Sequence, residues 1–413
     1  MANIYLVVVI IILAANFCLT FITETLNLKN ITPEMPDEFT GYYDADKYKK
    51  SQDYLRENTK FDITSDAILL AATLLFIIAG GFNFADKIAR GVSSEYYFTG
   101  LIFAGLLMLL SGIANIPFSA YHTFVIEEKF GFNKTTAKTF ILDILKSWLL
   151  AAVIGGAVFT FILWVFEKAG NFAWLFCWLG TGIIEIFLMF IAPVVLMPIF
   201  NKFLPLEEGE LKSAIENYAE GENFRISGVF KMDGSKRSSK SNAFFTGLGK
   251  FRRIVLFDTL IKNHTVQEIV AVLAHEVGHF KKKHILKFLL ISLAASGVMF
   301  FILSLFVENR SISEAFKMDN VSVYAGIFFF MFFYAPINFA LSIAINIFSR
   351  KFEYDADRYA VQSQGNSEAF ITALKKLSVD NLANLNPHPL KIFLEYTHPP
   401  ILDRIKAIRE HRA

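Results

Sequence analysis

The chain has 413 residues, 54% of them hydrophobic, with 45 Phe and a formal net charge of only +2. Its length allows two or three domains, but this composition is not that of a water-soluble core. The near-neutral balance excludes the basic footprint of a nucleic-acid-binding protein.

In the first half, five apolar stretches approach or exceed the roughly 20 residues that cross a bilayer, at about 3–22, 66–83, 98–118, 147–166 and 172–200. The first has no basic leading region and no small-residue cleavage site before Thr23-Glu24, so it reads as a retained anchor. Segment 23–65 is polar, rich in Tyr, Asp and Lys, with helical character around Asp44 to Asn58. Segment 119–146 carries Glu127-Glu128-Lys129-Phe130-Gly131-Phe132-Asn133, a turn-like insert before another helix. Cys18 and Cys177 both sit in apolar stretches and read as small core residues, neither a disulfide nor a metal pair. No internal repeat stands out, which counts against an inverted-repeat transporter.

Residues 201–265 form a soluble insert. Leu211 to Ala219 suits an amphipathic helix. From Gly228 to Asp258 the period changes. Val229 to Met232 ends in an Asp233-Gly234 turn, Asn242 to Gly247 is strand-like, and Gly249-Lys250 leads into Arg253 to Phe257. This predicts a hairpin or small sheet. Asn242 opens the proposed edge strand, where it can bond a substrate backbone or merely cap the strand.

Thr265 followed by Glu268 predicts a capping box at the start of a helix. That helix carries His275-Glu276-Val277-Gly278-His279, an H-E-x-x-H motif. Two imidazoles four apart share a helical face and can bind one Zn²⁺, with Glu276 placed to act on water as general base. Lys281, Lys282 and Lys283 mark an interface rather than a membrane interior, which argues against an intramembrane protease. His284, five residues after His279, is expected to face away.

Two further spans follow near 285–307 and 322–348, about seven in all. With the N-terminus outside, segments 23–65, 119–146, 201–284 and 349–413 lie inside and hold nearly all the Lys and Arg. The outside segments 84–97, 167–171 and 308–321 carry two, one and two. By the positive-inside rule the zinc motif is cytoplasmic. The expected organisation is a five-helix membrane region (1–200), a soluble insert with hairpin and zinc helix (201–284), two more spans (285–348) and a C-terminal part of the protease domain (349–413).

A zinc protease needs a third protein ligand and an open position. One class places a third His six residues after the second, with a Gly between. Here those places hold Ile285 and Lys282, which excludes it. The other common solution is a Glu on a later helix. In Ser349-Arg350-Lys351-Phe352-Glu353-Tyr354-Asp355-Ala356-Asp357, Glu353 and Asp357 share a face. Glu353 can bind the metal while Asp357 holds a ligand imidazole by its other N–H. The plain alternative is a solvated helix leaving the membrane. Asp355 points elsewhere. His398, in Tyr396-Thr397-His398-Pro399-Pro400, can donate to an oxyanion or serve only structure.

Together the multi-span first half, His275 to His279, Ser349-Arg350 through Glu353 to Ala356-Asp357, and Thr397-His398-Pro399-Pro400 resemble the CAAX prenyl proteases of type I, a family of integral-membrane zinc metalloproteases. The Gly234 to Ser238 stretch, Ser241-Asn242-Ala243-Phe244 and Phe130 to Asn133 extend the resemblance over most of the chain. It implies a mainly α membrane protein whose seven long helices enclose a water-filled chamber. A gluzincin-like α/β metalloprotease domain would close its cytoplasmic side. It also implies one Zn²⁺ per chain held by His275, His279 and Glu353, with Glu276 as base and Asp357 in support. Asn242 and His398 would steady the scissile carbonyl, with Ala243, Phe244 and Arg404 beside the substrate. Substrates would be peptides or proteins ending in CaaX with a prenylated Cys, cut after that Cys. Membrane lipid is the other expected partner; nucleic acid is not expected and no obligate protein partner is evident. The segment between the last two spans is shorter than in typical eukaryotic members, and His411-Arg412-Ala413 offers no dilysine signal. Both lean towards a bacterial inner membrane over the endoplasmic reticulum.

Two rival readings remain. A membrane quality-control zinc protease would share the motif with fewer spans. A transporter with a structural zinc would close its site with four ligands, usually including Cys, and no Cys lies near the motif.

Overall fold

The structure, a computed structural model, describes residues 3–246 and 252–410. The Gly249-Lys250 turn, Gly247 and the C-terminal His411-Arg412-Ala413 lie outside the described residues. Among those described, seven helices are long and apolar enough to cross a membrane: α1 (Ile4–Lys29), α2 (Ala45–Ile78), α3 (Tyr96–Glu127), α4 (Ala137–Lys168), α5 (Gly170–Phe200), α7 (His284–Phe306) and α8 (Val323–Gln364). The zinc-motif helix α6 (Val266–Lys281) precedes α7, and α9 (Ser367–Asp380), α10 (Pro389–Glu395) and α11 (Ile401–Glu410) follow α8.

Two helices differ from what hydropathy predicts, for one reason. The polar stretch after Asp44 and the apolar stretch from residue 66 are a single helix, α2, capped by the Asp44 carboxylate on Lys47 N at 2.6 Å. Likewise α8 continues unbroken past Ser349, so Glu353 and Asp357 ride on the last membrane helix itself. Hydropathy reports where a helix is greasy. It does not report where hydrogen bonding ends.

Few residues of the spans are fully buried, no more than 11% of those in the most apolar stretch of any span. Their shared core sits at one end. It joins Val9, Ile77, Phe103, Leu163, Cys177, Phe300 and Phe329, which lie near the start of α1, α3, α5 and α8 and the end of α2, α4 and α7. Because the metal motif and Glu353 lie at the other ends of these alternating helices, the start of α1 and the motif sit on opposite sides of the span layer. Cys177 belongs to this core, but Cys18 is exposed on its helix, so only one of the two cysteines is a core residue.

At the motif end, a four-stranded sheet runs β1 (Phe203–Pro205), β2 (Gly228–Met232), β4 (Arg253–Phe257), β3 (Ala243–Thr246) in spatial order. β4 pairs parallel with β2 and antiparallel with β3, in register Ala243 to Leu256 and Thr246 to Arg253. β3 is therefore an edge strand. The expected hairpin is present, within a larger sheet. Helix α6 lays Ile269, Leu273 and Val277, one residue per turn, onto Val229, Ile254 and Leu256. That turns His275 and His279 away from the sheet, towards α8.

Candidate metal centre

Helix α6 begins with the expected capping box: the Thr265 hydroxyl accepts from Glu268 N, and the Glu268 carboxylate accepts from Thr265 N at 2.9 Å. Gly278 is where α6 meets α8. A Cβ there would stand 3.0 Å from Ala356 Cα and O, tighter than most side chains tolerate, so a larger residue would push the two backbones apart by a few tenths of an ångström. This approach brings Glu353 between the imidazoles. Its Oε2 lies 3.4 Å from His275 Nε2 and its Oε1 3.2 Å from His279 Nε2, and the two Nε2 atoms are 3.1 Å apart. All three side chains offer ligand atoms within 4.8 Å of one another.

Each imidazole is also held from behind. Asp357 Oδ1 stands 2.8 Å from His275 Nδ1, the arrangement expected of it. Arg404, buried, grips Asp357 with Nε and Nη2 at 2.8 and 2.6 Å and reaches Glu353 Oε2 at 3.6 Å. His284 departs from expectation. It is 1% exposed and its Nδ1 lies 3.1 Å from His279 Nδ1. Extending the α6 face past Lys282 turns His284 away. In the structure the helix stops there, Lys283 adopts φ +57°, and α7 restarts in a new direction that brings His284 back. Its ring stacks on Phe352, centroids 4.2 Å apart and 9° from parallel.

Partners of this kind fix a ligand imidazole's tautomer and orientation, and their loss costs about 10–100-fold in metal affinity. Asp357→Ala and His284→Phe are each expected to weaken zinc binding by that factor in chelator competition. Phe keeps the stack on Phe352 but removes the nitrogen. His284→Asn, with an oxygen near the Nδ1 position, is expected to bind close to normally. Equal affinity in the Phe and Asn proteins would show that His284 only packs.

The loop bearing His398 is tied to the same helix. Arg350 Nη1 donates to the carbonyls of Ile392 and Tyr396 at 2.9 and 2.6 Å, and Asn346 Nδ2 to that of Leu394 at 2.8 Å. Thus α8 carries Glu353 and also anchors the segment that leads to Thr397-His398-Pro399-Pro400. His398 Nε2 comes to 3.3 Å from Glu353 Oε1, yet its side chain is 63% exposed. With Arg404 it lines a cavity of about 470 Å³. Arg350 belongs to the Ser349-Arg350 motif, but the sequence assigns neither it nor Asn346 this role, because a long side chain bonding carbonyls some 45 residues away leaves no local pattern.

Asn242 precedes β3, its side chain exposed, with Oδ1 accepting from Ala243 N at 2.8 Å and its carbonyl accepting from Phe257 N. Ala243 and Phe245 face the core beneath, while Phe244 meets Phe257 edge-on at 6.2 Å. The outer edge of β3 is left for another strand.

The donor set fits a divalent metal. Two imidazole nitrogens and a carboxylate are a common tetrahedral set with one open position. Glu353 Oε2 is buried and makes no well-formed hydrogen bond, with only Arg404 at 3.6 Å and His275 at 3.4 Å beside it, so a bound cation would complete it. Burial works against charge on His275, but the Asp357 and Glu353 carboxylates outweigh it and raise its pKa to about 9, a mark of surroundings that favour positive charge. Glu276 offers no hydrogen bond to these groups. Burial pushes its carboxyl above the usual range, as suits a proton acceptor working near neutral pH.

The comparisons with known proteins agree over nearly the whole length. A family model described as CAAX prenyl protease N-terminal, five membrane helices, matches residues 24–202, and one for peptidase family M48 matches 205–412. The chain is 36% identical to CAAX prenyl protease 1 of Saccharomyces cerevisiae, over 93% of this chain and 90% of that protein. It is 31% identical to CAAX prenyl protease 1 homolog of Homo sapiens, over 92% and 89%. The crystal structure of S. mikatae Ste24p superposes with a TM-score of 0.91 at 35% identity, covering 98% of both chains.

Proposed function

The chain belongs to the CAAX prenyl protease family within peptidase family M48, and from that premise we propose that it cuts C-terminal CaaX sequences after the prenylated cysteine, releasing three residues. It is an integral-membrane metalloprotease. The observation that carries the catalytic reading is the convergence of His275, His279 and Glu353. In this reading they hold one zinc ion, which supplies a Lewis acid that polarises a carbonyl and makes water acidic near neutral pH.

The protein's own groups do the rest. The substrate adds as a strand to β3, so main-chain bonds and the Asn242 amide set its register. Glu276 takes a proton from the attacking water and passes it to the leaving amine. His398, exposed in the cavity beside Glu353, donates to the carbonyl oxygen as charge develops. Asp357 and Arg404 keep His275 oriented. The spans, few of whose residues are fully buried, suit walls around a wet chamber, with the metal domain facing the cytoplasm as the Lys and Arg distribution favours. The eukaryotic relatives agree with an endoplasmic reticulum membrane, whereas the short 308–321 segment leans towards a bacterial inner one. A quality-control protease is not favoured, since all seven spans are present.

The test is to incubate purified protein with matched farnesylated and unprenylated CaaX peptides and sequence the products. Cleavage at sites other than the bond after Cys would overturn the proposal. Within it, His398→Ala is expected to lower kcat by about 10²–10³-fold with zinc content and melting temperature unchanged, the usual cost of one oxyanion donor. A role in packing beneath Pro399 and Pro400 would lower the melting temperature and leave kcat intact.

A further inference from the structure

A second cavity, of about 300 Å³, opens where the membrane helices meet the edge strand. Met189, Pro193 and Met197 of α5 form one wall, Ile285 of α7 another, and Phe244 and Thr246 of β3 the floor. Apart from the Thr246 hydroxyl these side chains are apolar. At Pro193 the helix widens into a π turn, Ala192–Leu196, which interrupts the regular ridge that would otherwise pack against α7. Further along, α5 and α7 close: Trp178 Nε1 donates to Leu293 O at 2.7 Å, and Ser292 donates to Glu185 at 2.7 Å. The cavity is thus open at the strand and stopped about 10 Å away, seven residues along α7 from Ile285.

Its position is informative. Ile285, in its wall, directly follows His284, whose Nδ1 lies 3.1 Å from His279 Nδ1, so the α7 wall starts one residue from a group in contact with the motif. Ile285 is also 40% exposed, and Val194 and Val195 of the π turn are 49% and 48% exposed on a membrane helix. A site that takes a peptide together with a hydrocarbon chain has to adjoin both an edge strand and an apolar wall, and this one is bounded by β3 on one side and by apolar residues of α5 and α7 on the others.

We propose that this cavity receives the isoprenyl chain on the substrate's cysteine while the peptide pairs with β3. The inference rests on the CaaX-protease reading above. The chain's head would sit at Phe244 and Ile285, next to the scissile bond, with its tail along Met189 and Pro193 towards Glu185.

The experiment uses the full-length Glu276→Gln protein in lipid nanodiscs and a CaaX peptide whose cysteine carries a diazirine-bearing farnesyl group. Photolysis is expected to label Met189, Met197 or Phe244, and competition by an unlabelled farnesylated peptide is expected to remove the label. Label elsewhere, or label displaced equally by phospholipid alone, would overturn the proposal, the latter making the cavity a lipid site. In the otherwise unaltered enzyme, Met189→Trp fills the cavity. It is expected to raise KM for the farnesylated peptide at least about tenfold more than for the unprenylated one. Equal effects on both peptides would also overturn it. Normal cleavage after Cys with label elsewhere defeats only the cavity assignment, whereas correct labelling without cleavage of any CaaX peptide defeats only the proposed activity.

Discussion

Replacing Glu276 by Gln is expected to abolish peptide cleavage, by about 10³-fold or more, while leaving metal content and melting temperature unchanged. Gln has nearly the same shape and volume, so α6 and its packing survive. What it lacks is the ability to take a proton from water and return it to the leaving amine. Glu276 makes no hydrogen bond to the ligand set, so its loss does not disturb His275 or His279, whose orientation comes from Asp357 and His284. The measurement is elemental analysis and turnover on one purified sample. Full zinc with near-normal turnover would remove Glu276 from the mechanism. Full zinc without turnover separates the base from the ligands.

Glu353→Ala is expected to behave in the opposite sense, losing the metal and with it all activity. Its carboxylate alone reaches both imidazoles, at 3.4 and 3.2 Å, so two histidines would remain with no third donor. The variant also leaves Arg404 facing one carboxylate instead of two, and some loss of stability should follow. The decisive reading is metal stoichiometry at limiting zinc. Full occupancy in the Ala protein would place the third ligand elsewhere.

Much of this centre is legible in the sequence because helices impose their own geometry. His275 and His279, and again Glu353 and Asp357, are four apart, and a period of 3.6 puts each pair on one face. Chemistry then assigns their partners. The failures come where that periodicity is interrupted or invisible. His284 is misplaced when α6 is extrapolated through Lys283, whose positive φ ends the helix. Arg350 and Asn346 act on backbone carbonyls distant in sequence. The start of α2 at Asp44 is foreseen, but its continuity with the apolar stretch from residue 66 is not, nor is the run of α8 past Ser349, because hydropathy changes at those points while the hydrogen bonding does not. The cavity between α5 and β3 depends on a π turn, and no residue pattern encodes one.

Helix α8 has 42 residues, about 63 Å of continuous rod, with Val323 in the far-side core and Glu353 in the candidate metal centre. Membrane anchoring and the proposed metal site are thereby mechanically in series. A thicker or thinner bilayer alters the tilt of such a helix, and that tilt reaches Glu353 damped only at Pro336, the one interior proline. The protease half therefore cannot be cut away as a water-soluble fragment with its ligands intact, and the acyl-chain length of the surrounding lipid becomes a variable of the enzymology alongside pH and zinc.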